Sequence, residues 1–223
     1  AEQKGTGHAV MMALDSLAAQ GTTLILYGDV PLTQPATLQA LIELSTEQQL
    51  GLLTVNMADS TGYGRIVRDA DKKVTAIVEH KDANAEQLLI KEVNTGILAV
   101  PTAKLHEWLP TLSNDNAQGE YYLTDIPAIA EKEGFLTYVV GAEVFGGWGV
   151  NTRSELAEHE YPAQSMLREE AMENGVTMIE PDSVTLSWDT EFGTDIIIEP
   201  SVVFGGGVFV GDGTTIHAFS YIE

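Results

Sequence analysis

A six-residue repeat near the carboxyl end constrains the fold more than any other feature of this sequence. Large apolar residues recur at every sixth position, at Leu186, Phe192, Ile198, Phe204, Val210, Ile216 and Ile222. A second apolar column, two positions earlier, contains Val184, Ile196, Val202 and Val208. One inward apolar residue per hexapeptide is typical of a left-handed parallel β-helix with three hexapeptides in each coil. We therefore predict about two such coils, and we expect the natural protein to continue beyond Glu223 because the last coil would be uncapped.

A second strongly patterned stretch lies near the amino end, at residues 22–32. Leu24–Leu26 are consecutive aliphatic residues, which predicts a strand buried on both faces in a parallel sheet covered by helices. Gly28 and Pro31 end that strand, with the acidic Asp29 between them. Ligands bind at the carboxyl edge of open α/β sheets, where a carboxylate suits Mg²⁺ bound to phosphates. Asp29 could equally cap the next helix.

The rest of the first 150 residues alternates between strand and helix patterns. A helix predicted at residues 35–44 and a strand at 51–55 complete a strand–helix–strand crossover, the unit of a parallel sheet. A chain of 223 residues with 44% apolar content is long enough for one domain of this kind and an appendage. The predicted fold class is therefore α/β, followed by the β-helix coils.

Further polar groups stand where a ligand could bind, and each has a structural alternative. The loop Gly5–Gly7 could offer backbone N–H groups to an anion or a base edge, or it could be an ordinary turn. Gly64 leaves room beside a strand, and Glu79 ends the next strand, where a charged turn is the alternative. Asn94 interrupts an apolar strand, so its amide must bond either to nearby backbone or to a hydroxylated ligand. Asn151 directly precedes a helix, which it could simply cap.

The charge of the chain excludes several classes of partner. Eleven basic residues against 33 acidic ones give a net charge of −22, which repels nucleic acid and anionic membranes. An anionic substrate would need a metal ion or a few well-placed cations. The absence of cysteine excludes disulfides, a thiolate nucleophile and a cysteine zinc site. With no apolar run of about 20 residues and no signal-peptide pattern, we predict a cytoplasmic protein.

Seven short segments, taken in order, resemble one enzyme family. They are Gly5–Ala9, Tyr27–Leu32, Gly62–Ile66, Ile77–Asp82, Asn94–Ile97, Gly119–Asp125 and Gly149–Asn151. This series resembles the bacterial bifunctional N-acetylglucosamine-1-phosphate uridylyltransferase/glucosamine-1-phosphate N-acetyltransferase and covers nearly the whole chain. A β-helix that begins after a long linking helix is also a feature of that family.

The resemblance implies a fold, a reaction and an assembly. The fold would be a Rossmann-like nucleotidyltransferase domain at residues 1–152, a linker helix region at 153–180 and the first coils of the left-handed β-helix at 181–223. The reaction would join UTP and N-acetylglucosamine 1-phosphate into UDP-N-acetylglucosamine and pyrophosphate, with Mg²⁺, for peptidoglycan and lipopolysaccharide precursors. The full-length protein would be a homotrimer, and this chain would associate weakly.

The family's site residues carry over to matching positions of this sequence. Gly5 and Thr6 would border the uracil, whereas the nucleotide and metal would lie at Tyr27, Gly28 and Asp29. The sugar and its acetamido group would be bound by three residues, Gly64, Glu79 and Asn94. Asp29 would be the catalytic residue and would hold Mg²⁺ together with Asn151.

Two departures limit what the resemblance implies. Residues 1–223 lack the family's phosphate-binding G-x-G-T-R-M loop, its downstream lysine and the first strand. They also lack the later coils that carry the acetyltransferase residues. We therefore expect this chain not to catalyse uridylyl transfer unaided and to contain no acetyl-CoA site.

Two alternatives to this interpretation remain open. One is another sugar-1-phosphate nucleotidyltransferase with a β-helix tail, acting on glucose and ATP or on mannose and GTP. The other is a catalytically inactive module that trimerises through its β-helix.

Overall fold

The computed structural model describes residues 3–142 and 144–223, which form two compact units. The first unit ends at Val150, and the second comprises Asn151–Glu223. Each unit has its own apolar core.

The first unit alternates helices and strands along most of its length. Its helices are α1 (Thr6–Met11), α2 (Pro35–Leu44), α3 (Thr102–Trp108) and α4 (Ile126–Lys132). Its strands are β1 (Thr22–Ile25), β2 (Gln49–Asn56), β3 (Arg65–Arg68), β4 (Val74–Val78), β5 (Glu92–Pro101) and β6 (Leu136–Gly141). Short 3-10 turns lie at Leu14–Ser16, Gln87–Leu89, Leu109–Thr111, Leu123–Asp125 and Val144–Gly147.

Within the described residues these six strands form one mixed sheet around β5. The strand order is β4-β3-β5-β2-β6, and β1 pairs with the carboxyl half of β5. Three strands, β1, β2 and β3, run antiparallel to β5, whereas β2 and β6 run parallel to each other. The predicted α/β fold class is confirmed by the helices around this central sheet, but the prediction of a parallel sheet is wrong, because β1, β2 and β3 run antiparallel to β5.

The prediction that β1 is a parallel strand buried on both faces is wrong. β1 pairs antiparallel with β5, and Leu26, just beyond its end, is 51% exposed. In the described part of the chain β1 has a strand partner on one side only, so its aliphatic residues line an open groove. β1 and β2 do run in the same direction, as the crossover predicts, but β5 lies between them.

Side-chain alternation gives the sheet two apolar faces. Leu52 and Leu98 pack with α3 and α4 on one face, whereas their neighbours Leu53 and Ala99 pack with α2 on the other. α2 lies close to the sheet at Gly51, where a Cβ would stand 2.6 Å from the Leu41 carbonyl oxygen. Each fully buried leucine contributes about 1.5–3 kcal/mol, so the helices hold the strand ends firmly in place.

The second unit begins with the 21-residue helix α5 (Arg153–Glu173). It is followed by β7 (Val176–Met178) and by six short strands: β8 (Glu191–Phe192), β9 (Ile196–Ile198), β10 (Val203–Phe204), β11 (Phe209–Val210), β12 (Thr215–Ile216) and β13 (Tyr221–Ile222). No helix in residues 3–142 and 144–223 is both long and apolar enough to cross a membrane.

The short strands of the second unit pair in parallel with strands 18 residues away. Three pairs, β8–β11, β9–β12 and β10–β13, have this offset, which equals three hexapeptides. Most residues of the six-residue column, such as Ile198, Phe204 and Val210, are buried in the core of the unit, and Phe192 and Ile222 are partly buried against it. We refer to residues 184–223 as the hexapeptide stack.

Candidate functional site

Gly5 and the first residues of α1, Thr6 and Gly7, pack tightly against the segment that ends before α4. The Gly7 N–H donates to the Tyr121 carbonyl oxygen at 2.8 Å, and the Tyr121 N–H donates to the Lys4 carbonyl oxygen at 2.8 Å. Gly5 has a φ of +97°, and a Cβ there would stand 2.7 Å from the Tyr121 oxygen. Glycine is therefore required at Gly5, and the Gly7 N–H is already bonded within the protein.

Two predicted site residues from different segments, Thr6 and Tyr27, lie next to each other. Their side chains interact, and the Thr6 hydroxyl oxygen accepts from the Leu123 N–H at 3.1 Å. Burial raises the pKa of Tyr27, and the nearby Glu79 and Asp29 charges act in the same direction, against the opposing hydrogen bond from Thr6. The Tyr27 ring lies over Gly96, where a Cβ would come within 2.5–2.7 Å of its carbons.

The three residues predicted to bind the sugar lie together at adjacent strand ends. The Asn94 N–H donates to the Gly64 carbonyl oxygen at 2.9 Å. A Cβ at Gly64 would lie 3.6 Å from both carboxylate oxygens of Glu79. Gly64, Glu79 and Asn94 therefore form one cluster, although up to 30 residues separate them in the sequence.

Two contacts orient the polar side chains of this cluster. The Asn94 Oδ1 atom accepts from the Gly96 N–H at 3.0 Å, so the backbone alternative for this amide oxygen is confirmed. The Glu79 Oε1 atom accepts from the Thr124 hydroxyl at 2.8 Å. Sequence reasoning missed Thr124, because no local pattern links it to a glutamate 45 residues away.

Other carboxylates surround Glu79. Burial raises the pKa of the Glu79 carboxyl, and the charges of Asp82, Asp125 and Glu120 raise it further, against the hydrogen bond from Thr124. Such a group gains from contact with hydroxyl donors and repels anions. The arrangement therefore suits the neutral, hydroxylated part of a ligand.

Two cavities lie beside these residues. A small cavity of about 10 Å³ borders Tyr27, Asn94 and Thr124, and it is about large enough for one water molecule. An open groove of about 580 Å³ follows α1 and β1 and includes Tyr27, Gly28 and Asp29. Its volume is within the range of small-molecule sites, and most of its lining is aliphatic.

The two predicted metal ligands are both exposed. The Asp29 carbonyl oxygen accepts from the Val150 N–H at 2.7 Å in the first unit, and Asn151 begins the second unit. The N-cap alternative for Asn151 is wrong, because the Thr152 side chain accepts from the Glu155 N–H in a capping box. The described residues contain no cluster of three or more acidic, histidine or cysteine side chains that could hold a metal.

Comparison with known proteins identifies relatives along the whole chain. No family model matches it. The bifunctional protein GlmU of Ralstonia pickettii (strain 12J) is 50% identical over 225 residues, covering 100% of this chain and 49% of that protein. The bifunctional protein GlmU of Acinetobacter baumannii (strain AYE) is 49% identical over 219 residues, covering 98% of this chain and 48% of that protein.

A solved structure shares the fold at low sequence identity. It is a UDP-glucose pyrophosphorylase complexed with UDP-glucose, 16% identical, with a TM-score of 0.55 over 76% of this chain and 64% of that chain. This likeness supports the mixed α/β fold alone. The chain spans about half the length of the curated relatives it matches. With about half of its residues identical to theirs along its whole length, the chain belongs to the family of the bifunctional GlmU proteins.

Proposed function

We propose that this chain carries the sugar-nucleotide site of a nucleotidyltransferase that joins UTP and N-acetylglucosamine 1-phosphate. A phosphate oxygen of the sugar phosphate attacks the α-phosphorus of UTP, the bond to the β-phosphate breaks, and pyrophosphate leaves. The observation that carries this proposal is the clustering of Gly64, Glu79 and Asn94 at adjacent strand ends. Membership of the bifunctional GlmU family and the fold shared with a UDP-glucose pyrophosphorylase support it.

The cluster offers a polar group for each part of an acetamido sugar. Because the Asn94 Oδ1 atom is bonded to the Gly96 N–H, its NH₂ group is the part that can donate to an acetamido carbonyl. Glu79 can accept from sugar hydroxyls while Thr124 holds one of its oxygens in place. A sugar without the matching groups would leave these side chains unpaired, which can cost several kcal/mol.

The nucleotide would bind beside the Thr6–Tyr27 pair. We assign one wall of the uracil site to Gly5, Thr6 and Tyr27, which are held against each other and the Tyr121 segment. A Cβ built at Gly28 would have no other atom within 4 Å, so the chain leaves space there for the phosphates. Since phosphoryl transfer depends mainly on positioning and charge, these contacts would be the chain's main contribution to the reaction.

Asp29 and Asn151 have the chemistry of a magnesium site. Asp29 offers a hard, exposed carboxylate, and Asn151 offers an amide oxygen that the helix cap does not use. Two protein ligands fit Mg²⁺, which usually keeps several waters and binds phosphates. When bound, it would neutralise charge on the phosphates.

We also propose that residues 1–223 do not catalyse uridylyl transfer unaided. The chain has a net charge of −22 and only 11 basic residues, so it offers few cations to hold a triphosphate. The family's phosphate-binding loop would supply those groups. With this net charge, nucleic acid and membrane surfaces are poor partners, and we propose a cytoplasmic enzyme of cell-wall precursor synthesis.

Calorimetric titration with UDP-N-acetylglucosamine tests the proposed site. We expect binding that depends on Mg²⁺ and that is clearly weaker for UDP-glucose, which lacks the acetamido group. Equal or tighter binding of UDP-glucose would favour the other class of sugar nucleotidyltransferase. No binding of either ligand at millimolar concentration would favour the inactive assembly module.

The second unit supports a separate proposal about assembly. We propose that the hexapeptide stack is the start of a left-handed parallel β-helix through which the full-length protein forms a homotrimer. Exposed aromatic side chains on the stack, Trp188, Phe209 and Tyr221, offer apolar contact area. Two coils bury little surface, so we expect weak, concentration-dependent association of this chain. A strict monomer at high concentration in equilibrium sedimentation would contradict it.

A further inference from the structure

Arg65 is a fully buried cation at the junction of three strands. It is 2% exposed, and it pairs in register with Val78 of β4 and with Val93 of β5. An arginine is rarely buried to this extent unless its charge is matched by hydrogen bonds or an opposite charge. The burial of the Arg65 side chain therefore needs an explanation.

The neighbours of these three paired residues are the three proposed sugar-binding residues. Gly64 precedes Arg65, Glu79 follows Val78 and Asn94 follows Val93. Because side chains alternate along strands, Gly64 and Glu79 face the side of the sheet opposite to Arg65. The distance of 3.6 Å between a Cβ built at Gly64 and the Glu79 carboxylate oxygens agrees with this alternation. Arg65 thus lies directly behind the sugar cluster.

The guanidinium joins the two residues that flank the cluster on β3 and β4. Nη1 donates to the carbonyl oxygen of Tyr63, and Nη2 lies 3.3 Å from Nδ1 of His80. Tyr63 precedes Gly64, and His80 follows Glu79. In residues 3–142 and 144–223 no carboxylate lies within ion-pair distance of Arg65, and its Nε has no hydrogen-bond partner. Among these described residues, the guanidinium has hydrogen-bond partners in a carbonyl and an imidazole alone, and Asp59 attracts it without forming an ion pair. A buried charge held in this way adds little to stability, so positioning is the better explanation.

We propose that Arg65 is a positioning residue that holds the ends of β3 and β4 at the separation the sugar site needs. It acts through the Tyr63 carbonyl and the His80 ring, and it does not touch the ligand. The identity of that ligand rests on the proposed function. A displacement of about 1 Å in a reacting or ligand-binding group can strongly lower rate or affinity. Contacts of Arg65 that fix the strand ends on one face of the sheet therefore affect the sugar cluster on the other face.

Two substitutions at His80 test this clamp without removing the buried charge. His80→Leu removes the acceptor for Nη2, whereas His80→Gln keeps one. We expect His80→Leu to weaken binding of UDP-N-acetylglucosamine about tenfold in calorimetry, whereas His80→Gln binds within about twofold of the original chain. Arg65→Lys, which keeps the charge but loses the fork of donors, should resemble His80→Leu.

Arg68→Met is the matched control on the same strand. Arg68 pairs with Glu92 and donates to the Lys72 carbonyl oxygen, so its partners are not residues of the sugar cluster. Its replacement should lower the melting temperature and leave the affinity unchanged. An equal loss of affinity in Arg68→Met and His80→Leu would mean a general loss of stability and would overturn the proposal.

Amide hydrogen exchange provides a measure that needs no ligand. The Asn94 N–H bonds to the Gly64 carbonyl oxygen, so it reports how β3 and β5 meet at the cluster. We expect faster exchange at Asn94 in His80→Leu and Arg65→Lys, but not in His80→Gln or Arg68→Met. If the original chain binds no sugar nucleotide, the proposed function fails and exchange alone decides the role of Arg65. Unchanged exchange together with unchanged affinity in His80→Leu would refute that role.

Discussion

The side-chain amide of Gln164 makes both backbone hydrogen bonds of Leu186. Nε2 donates to the Leu186 carbonyl oxygen at 2.7 Å, and Oε1 accepts from the Leu186 N–H at 2.8 Å. One helical turn later, Arg168 donates to the Val184 carbonyl oxygen at 3.1 Å. Helix α5 thereby satisfies backbone groups at the first edge of the hexapeptide stack, where a further strand would otherwise be needed.

Gln164→Leu should destabilise the second unit by about 2–4 kcal/mol. The substitution keeps the volume but leaves the N–H and C=O of Leu186 unpaired in a buried place, and each such group costs about 1–3 kcal/mol. Urea unfolding measures the loss. Ser165→Ala, at the half-buried neighbouring position on α5, should change stability by less than about 0.5 kcal/mol. A cost at Gln164 no larger than that at Ser165 would show that α5 does not stabilise the stack in this way.

A backbone conformation that recurs in the stack makes Phe219 a strained residue. Phe219 has a φ of +63° and is 84% exposed, and Ser201, 18 residues earlier, has a φ of +61°. The left-handed region costs a bulky residue about 1–2 kcal/mol, whereas asparagine tolerates it. Phe219→Asn should therefore stabilise the second unit by about 1 kcal/mol in thermal unfolding. Phe209→Asn, an exposed residue in β11, should give no such gain, and a destabilised Phe219→Asn variant would refute the strain.

Glu79 should make stability fall as pH rises. Burial and neighbouring carboxylates raise its pKa in the folded state, so between the ordinary and the raised value the folded chain binds more protons than the unfolded chain. The resulting loss in the free energy of unfolding is absent below the ordinary glutamate pKa and fully present above the raised pKa. Glu79→Gln should remove it, with a gain in stability at pH 7 that disappears at low pH.

Glu92 is a comparison residue whose pKa shift, and therefore whose effect on stability with pH, has the opposite sign. Burial alone would raise its pKa, but hydrogen bonds from Arg68 and Thr54 outweigh burial and lower it. Glu92→Gln should therefore destabilise the chain above the ordinary glutamate pKa, with the difference lost as pH falls through the lowered value. Unfolding curves from acid to neutral pH that show the same sign for both variants would contradict these assignments.

The parts of the structure that follow from local patterns could be predicted from the sequence. Ile198, Phe204 and most other residues of the six-residue column are buried, as predicted, because one inward position per hexapeptide is a local property. The direction and burial of β1 could not be read in this way, since an aliphatic run does not reveal which strand it will pair with. The Glu79–Thr124 and Arg65–His80 contacts also lack any local signal, because they depend on how β3, β4 and the 3-10 turn at Leu123–Asp125 meet.

Gly96 should tolerate no side chain, because the Tyr27 ring occupies its place. Its φ is +87°, and an added Cβ would lie 2.5–2.7 Å from three ring carbons. Gly96→Ala should cost about 2–4 kcal/mol, of which about 1 kcal/mol comes from the left-handed backbone and the rest from displacing the ring. Gly141→Ala, with nothing within 4 Å and no positive φ, should be nearly neutral.

A double-mutant cycle separates these two contributions. In a Tyr27→Ala background the ring is gone, so Gly96→Ala should cost only the backbone part of its free energy. The double variant should therefore lose less stability than the sum of the two single variants, by 1 kcal/mol or more, which is about the coupling typical of residues in contact. Additive costs would mean that the ring moves freely away from Gly96. The Tyr27 hydroxyl would then not be held at Thr6 by this packing, and the proposed uracil wall would lose its support.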